Sequence, residues 1–118
     1  MGTWYGSCVR IIARSTLIRF IERLVAHKDR RAVKSALDAW FHEVRHASWS
    51  SSADVKRSYA NASIVGADRV VFNIKGNSYR LVAAVDYVRA IVFIKWIGTH
   101  KEYDAIDVRT VQYESEAD

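Results

Sequence analysis

An α+β fold, with helices packed on one face of a small antiparallel sheet, is predicted by three features of this 118-residue chain. Apolar residues recur at helical spacing through the first part, up to Val44. From Arg69 the period changes to the alternation of strands and holds to about Ile97. The connections between those later strands are short, which favours antiparallel neighbours.

Cys8–Ala13 is short and β-branched and predicts a first strand. Ser15 or Thr16 can cap a helix running to about Lys28, with Leu17, Ile18, Ile21, Leu24 and Val25 on one face. Asp29 caps a second helix whose buried stripe is Ala32, Val33, Ala36, Leu37, Trp40, Phe41 and Val44. The short joint at Lys28–Asp29 makes the pair an antiparallel helical hairpin. A polar loop at Ser48–Asp54 and a short helix over about Ala53–Ala60 precede a second loop at Asn61–Asp68. Three strands then form a meander over Arg69–Ile74, Ser78–Tyr87 and Ala90–Ile97. At the first turn, Gly76 and Asn77 tolerate positive φ. In the middle strand Tyr79, Leu81, Ala83 and Val85 face one way, and Arg80, Val82, Ala84 and Asp86 the other. Gly98 ends the sheet, and Thr99 or His100 opens a last helical turn through Tyr103.

One domain with one core suits this length, and half the residues are apolar, enough to offset ordering entropy. Residues 1–104 carry 17 Lys+Arg against 9 Asp+Glu, whereas the last stretch has Arg109 against Asp107, Glu114, Glu116 and Asp118. A basic body with an acidic tail favours a polyanionic partner, nucleic acid first. Cys8 is the single cysteine, so neither an intrachain disulfide nor a cysteine metal cage is expected. No apolar run approaches a bilayer span and residues 1–8 lack a signal-peptide pattern, so a soluble, cytoplasmic protein without cofactor or membrane partner is expected.

Phosphate-binding glycine loops, zinc spacings and nucleophile elbows are absent. Polar groups instead crowd the strand ends: Asn73, Lys75, Asn77 and Arg80 around one turn, and Lys95, Thr99, His100, Lys101, Glu102, Tyr103 and Asp104 where the sheet ends. Neighbouring strands lie about 5 Å apart, so the two groups can converge on one surface. Each also has a plain structural role open to it. Asn73 and Asn77 suit turns, Arg80 can snorkel at the sheet margin, His100 can open a helix, and Tyr103 can pack.

The run Val71-Phe-Asn-Ile-Lys-Gly-Asn-Ser-Tyr-Arg-Leu-Val82 resembles the signature of HigB-type toxins, within the RelE-like group of messenger-RNA interferases. Gly98-Thr-His-Lys-Glu-Tyr-Asp104 is similar to that family's closing THxEYD motif. Arg10-Ile-Ile-Ala-Arg-Ser-Thr-Leu17, Ala39-Trp-Phe-His-Glu-Val44, Ser48-Trp49 and Ala53-Asp54 also fall where the family places its opening strand, second helix and loop. The likeness covers Val9 to Val111, so residues 9–111 are expected to be the toxin domain. Residues 1–8 then form an extension or tag remnant, and residues 112–118 an acidic flexible tail.

The resemblance implies a RelE-like fold, in which a curved antiparallel sheet backed by helices grips RNA on its open face. It also implies cleavage of translated mRNA on the ribosome, inhibiting translation and growth. The implied partner is a helix-turn-helix, HigA-like antitoxin that forms a hetero-oligomer with the toxin. Carried over by residue, the functional set is Asn73, Asn77, Arg80, His100, Glu102, Tyr103 and Asp104.

Metal-independent cleavage uses the RNA's own 2′-OH as nucleophile. The protein must take that proton, stabilise the phosphate and protonate the departing 5′ oxygen. Arg80 suits the phosphate, because a guanidinium holds two oxygens at once. His100 suits acid or base work, Tyr103 stacking or proton transfer, and Glu102 is a fallback base. Asn73, Lys75, Asn77, Lys95 and Lys101 are the expected RNA-binding residues around this catalytic set. The competing reading is a non-catalytic one, a ParE-like topoisomerase inhibitor, against which the Arg80 motif and the THxEYD ending weigh, or a basic RNA-binding module, which would show the same charge.

Overall fold

A computed structural model describes residues 9–24, 27–66 and 68–111. The chain order is β1 (Arg10–Ile12), α1 (Arg14–Arg23), α2 (Arg30–Arg45), α3 (Ser52–Ser58), β2 (Ser63–Val65), β3 (Arg69–Ile74), β4 (Tyr79–Asp86), β5 (Ile91–Thr99) and α4 (His100–Tyr103). The α+β class holds, but the sheet is mixed, with five strands in the order β1-β5-β4-β3-β2. The expected meander is its centre, since β3, β4 and β5 pair antiparallel through short connections.

Two edge strands correct the sequence reading. The first strand pairs parallel to β5, with Arg10 opposite Ile91 and Ile12 opposite Phe93. No tight turn joins β1 to its neighbour, so nothing local imposes the antiparallel direction that a hairpin would. Ser63–Val65, expected as loop, pairs with β3 across a turn at Gly66, whose φ is +67°. Two β-branched residues before a glycine were the signal for this short edge strand.

Boundaries shift at three further places. The α1 helix starts after Ala13, which takes a left-handed φ of 71°, and no Ser15 or Thr16 side chain caps it. Ile18 on α1 is half exposed, whereas Phe20 is buried in its place. Positive φ at the β3–β4 turn falls on Lys75 and Gly76, one residue earlier than expected. The α1 helix ends at Arg23 rather than near Lys28, and Lys28 and Asp29 lie in a turn before α2. Val25, the extension at 1–8 and the tail at 112–118 lie outside the described residues.

One face of the sheet carries the core. Phe72 and Leu81 are opposite each other, as are Leu81 and Ile97, and all three are buried. The Phe20 ring of α1 meets Tyr79 edge-on at 5.7 Å, and Trp40 of α2 meets Phe72 at 5.3 Å. Trp49 and Tyr59 close on the same Phe72 ring. Each such aromatic buries more area than an aliphatic side chain, and edge-to-face pairs add to that burial.

Asp29 sits at the N-cap of α2, but its side chain does not cap the helix. Its carboxylate accepts from the Tyr79 hydroxyl at 3.0 Å and lies 3.6 Å from the Lys75 ammonium. The Tyr79 hydrogen bond first, then Lys75, hold this carboxyl below its usual 3.8, against the opposing effect of partial burial. A lowered folded-state value stabilises the fold above the unfolded value and loses that contribution as the pH falls through it. Tyr79→Phe should therefore unfold at lower urea than wild type at neutral pH. The gap between the two should narrow in acid, as followed by urea titration at a series of pH values. A constant gap at every pH would show that Asp29 takes nothing from this bond.

Candidate functional site

The face of the sheet opposite the core holds the remaining half of the strand residues. On β4 these are Arg80, Val82, Ala84 and Asp86, as the alternation predicts. Val71, Val82 and Ala84 are nevertheless buried, although they stand outside the core cluster. Arg69, at the far end of this face from Arg80, donates from Nη1 to the Val111 carbonyl at 2.7 Å. The chain leaving α4 therefore returns to that end of the sheet. At the other end Asn73, Arg80 and Gly98 are register partners across three strands, and Asn73 and Arg80 stay partly exposed while Gly98 is buried.

Arg80 is the centre of this end. Its Nη1 donates to the Asn77 carbonyl at 3.1 Å, and its Cζ lies 5.8 Å from the centroid of the Tyr103 ring. Among the described residues no carboxylate pairs with it, which leaves the guanidinium's other donors available. Asn77 meets Arg80 through its backbone carbonyl, and its own side chain makes no hydrogen bond among the described residues. Asn73 stands directly opposite Arg80 and is half-buried.

The α4 turn is built by a capping box. The Glu102 amide donates to the Thr99 hydroxyl at 3.0 Å, and the Thr99 amide donates to a Glu102 carboxylate oxygen at 2.9 Å. Two orphan donors at the helix start are satisfied reciprocally, which explains why a helix of four residues holds its shape. Glu102 is thus committed to holding the turn. Tyr103 projects from the turn toward Arg80, and its hydroxyl has no hydrogen-bond partner among the described residues.

His100 begins α4, with its amide bound to the Ser78 carbonyl at 3.0 Å, so the turn is tied to the start of β4. Its Nε2 is 3.9 Å from an Asp104 oxygen and the side chain is 48% exposed. Spacing of three along a helix makes His100 a neighbour of Tyr103. Lys101 is exposed, and among the described residues no hydrogen bond or ion pair ties it to the others.

Two expected RNA-binding residues stand elsewhere. Lys75 turns to Asp29 at the helical side. Lys95 lies at a bulge: Val82 is opposite Trp96 and Ala83 opposite Ile94, so Lys95 is left without a partner. Its ammonium sits 5.4 Å from the Phe93 ring, and four residues of strand place it roughly 13 Å from Thr99.

The sequence reading missed Trp96. Strict alternation from the buried Ile94 sends residue 96 into the core, but the bulge at Lys95 reverses the phase and puts the indole on the open face. The ring lies against Gly98, where an added Cβ would come within 2.6 Å of the indole and of Glu102 Oε1. Its centroid is 6.3 Å from that of Tyr103. Gly98 therefore pairs within β5 rather than ending the sheet, and its missing side chain makes the room for the indole.

A cleft of about 290 Å³ between α1 and α2, lined by Leu17, Ile18, Ile21, Leu37 and Phe41 among others, includes none of these site residues. No helix among the described residues is long and apolar enough to cross a membrane. No curated protein matches the chain. A family model does, described as HigB toxin, the RelE-like toxic component of a toxin–antitoxin system, over residues 33–106. That span runs from α2 through α4 and contains every residue of the site just described. Because it exceeds half of the chain, the protein belongs to the HigB toxin family.

Proposed function

We infer that the chain is a metal-independent endoribonuclease that cuts translated mRNA and so stops growth. The observation that carries this reading is Arg80: a guanidinium without a carboxylate partner among the described residues, aimed by Asn77 and flanked by Tyr103 on the open end of a sheet. Such a group holds a phosphate in two-point fashion and stabilises the charge that develops when the 2′-OH attacks. His100 moves the protons, Tyr103 orients the nucleotide, Asn73 on β3 and Lys101 on α4 extend the contact, and Lys95, farther along β5, meets a more distant part of the RNA. Substrate held on the ribosome supplies the rest of the orientation, which suits a sparse set of protein groups. Residues 9–111 act as one domain in the cytoplasm, with α1 and α2 as a helical hairpin behind the sheet.

Mapping cellular mRNA ends after brief expression tests the reading. New 5′ ends within coding regions are expected, appearing before any change in DNA supercoiling. Intact mRNA with stalled topoisomerase would favour the ParE-like alternative instead.

Membership of a toxin–antitoxin family makes an antitoxin the partner of this chain. We expect a helix-turn-helix, HigA-like protein that meets the basic surface with an acidic or amphipathic segment. Co-expression should restore growth and yield a hetero-oligomer that survives size-exclusion chromatography. Free expression of the lone chain with no harm to its host would count against a toxin.

A further inference from the structure

We propose that Trp96, with Tyr103, forms an aromatic shelf that stacks one unpaired RNA base beside the phosphate held by Arg80. The proposal rests on the RNA-cleaving reading above and adds the residue that receives the base. Three observations place the shelf. The β-bulge at Lys95 turns the indole out of the core and onto the open face. Gly98 leaves the space in which the ring lies, since any Cβ there would meet Cη2 at 2.6 Å and Cζ2 at 2.7 Å. The Tyr103 ring adjoins at 6.3 Å with an interplanar angle of 50°, and it in turn carries the Arg80 guanidinium at 5.8 Å.

Phosphate, sugar and base of one nucleotide span a distance comparable to this row of groups. A nucleotide whose phosphate meets Arg80 can therefore lay its base toward Trp96. Trp40, a structural indole of this fold, is 3% exposed against Phe72, whereas Trp96 keeps part of its surface in solvent. A partly exposed aromatic next to the ring that carries the Arg80 guanidinium is a surface suited to a π-face. Stacking is tolerant of base identity because every base has such a face, but it strengthens with ring area. The shelf should therefore accept any base and favour purines.

The test is single-turnover cleavage of a short mRNA, offered both free and on programmed ribosomes, by the full chain and by Trp96→Leu and Trp96→Phe. Leucine keeps apolar bulk over Gly98 but has no π-face, and phenylalanine keeps the face. Each substrate is made with a normal base or an abasic site at successive positions around the cut. We expect Trp96→Leu to cut about ten- to a hundredfold more slowly, with Trp96→Phe close to wild type. An abasic site at one position should slow wild type by a similar factor and slow Trp96→Leu no further. If Leu and Phe variants cut alike, or if the abasic penalty is the same in wild type and Trp96→Leu at every position, the shelf is overturned while cleavage stands. If wild type cuts neither substrate, the RNA-cleaving reading falls and the shelf with it. The abasic comparison within wild type is independent of how well any variant folds.

Discussion

Arg80→Ala should give a folded, antitoxin-binding protein that no longer arrests growth, with mRNA cleavage reduced about a hundred- to a thousandfold. The size follows from what the side chain is placed to do. Its backbone lies between Asn73 and Gly98 on the central strand, so the sheet fixes its origin. The Asn77 carbonyl and the Tyr103 ring then hold the guanidinium itself. A donor fixed in this way reorganises little when charge builds on the phosphate, which is the condition under which such a group contributes most. Stability should change little, because the side chain is partly exposed and its loss strands no buried carboxylate. Arg80→Lys keeps the charge without the planar fork and should fall between the two. Thermal melting, antitoxin pull-down and cleavage of a reporter mRNA measured on the same preparations decide the matter. An Arg80→Ala protein that folds and remains fully toxic removes Arg80 from the site.

The parts of this structure that could be read from sequence are those in which local chemistry and fold agree. Alternation along β4 separates Leu81 from Arg80 without ambiguity, because a one-residue slip would expose the whole core face. The spacing of Thr99 and Glu102 marks the start of α4 in the same way, since the two side chains cap each other's backbone. Other features depend on distant contacts and leave no local trace. The direction of β1 is set by the free edge of β5 rather than by a turn. A single extra residue at Lys95 reverses the facing of everything after it, which hid Trp96 among the apparent core residues. Val82 is buried although it lies opposite the core, and Arg69 on the same face reaches Val108 and Val111, some forty residues away in sequence. Lys75, grouped with the site by proximity in sequence, turns to Asp29 because the β3–β4 turn aims it at the helical side.

His100→Gln should still engage ribosomes while cleavage falls by at least about a hundredfold. Glutamine retains a polar side chain of similar reach but cannot take and return a proton near neutral pH, whereas imidazole can. The fold supports such a role by position rather than by burial. The His100 amide is tied to Ser78 at the foot of the Arg80 strand, and the capping box fixes the turn on which the ring stands. Asp104 lies 3.9 Å from Nε2 and can orient the imidazole, but at this exposure it contributes little to stability. Loss of the ring should therefore leave the melting temperature nearly unchanged, which separates a chemical role from a structural one. Asp104→Asn should reproduce a smaller part of the loss, because it disturbs orientation and leaves the proton carrier in place. Cleavage by His100→Gln within a few-fold of wild type would mean that other groups move the protons. Glu102 is then a poor substitute, because its carboxylate is bound to the Thr99 amide and its removal would unravel the turn. Tyr103, whose hydroxyl has no partner among the described residues and whose ring already touches Arg80, would be the next group to replace, with Tyr103→Phe as the test.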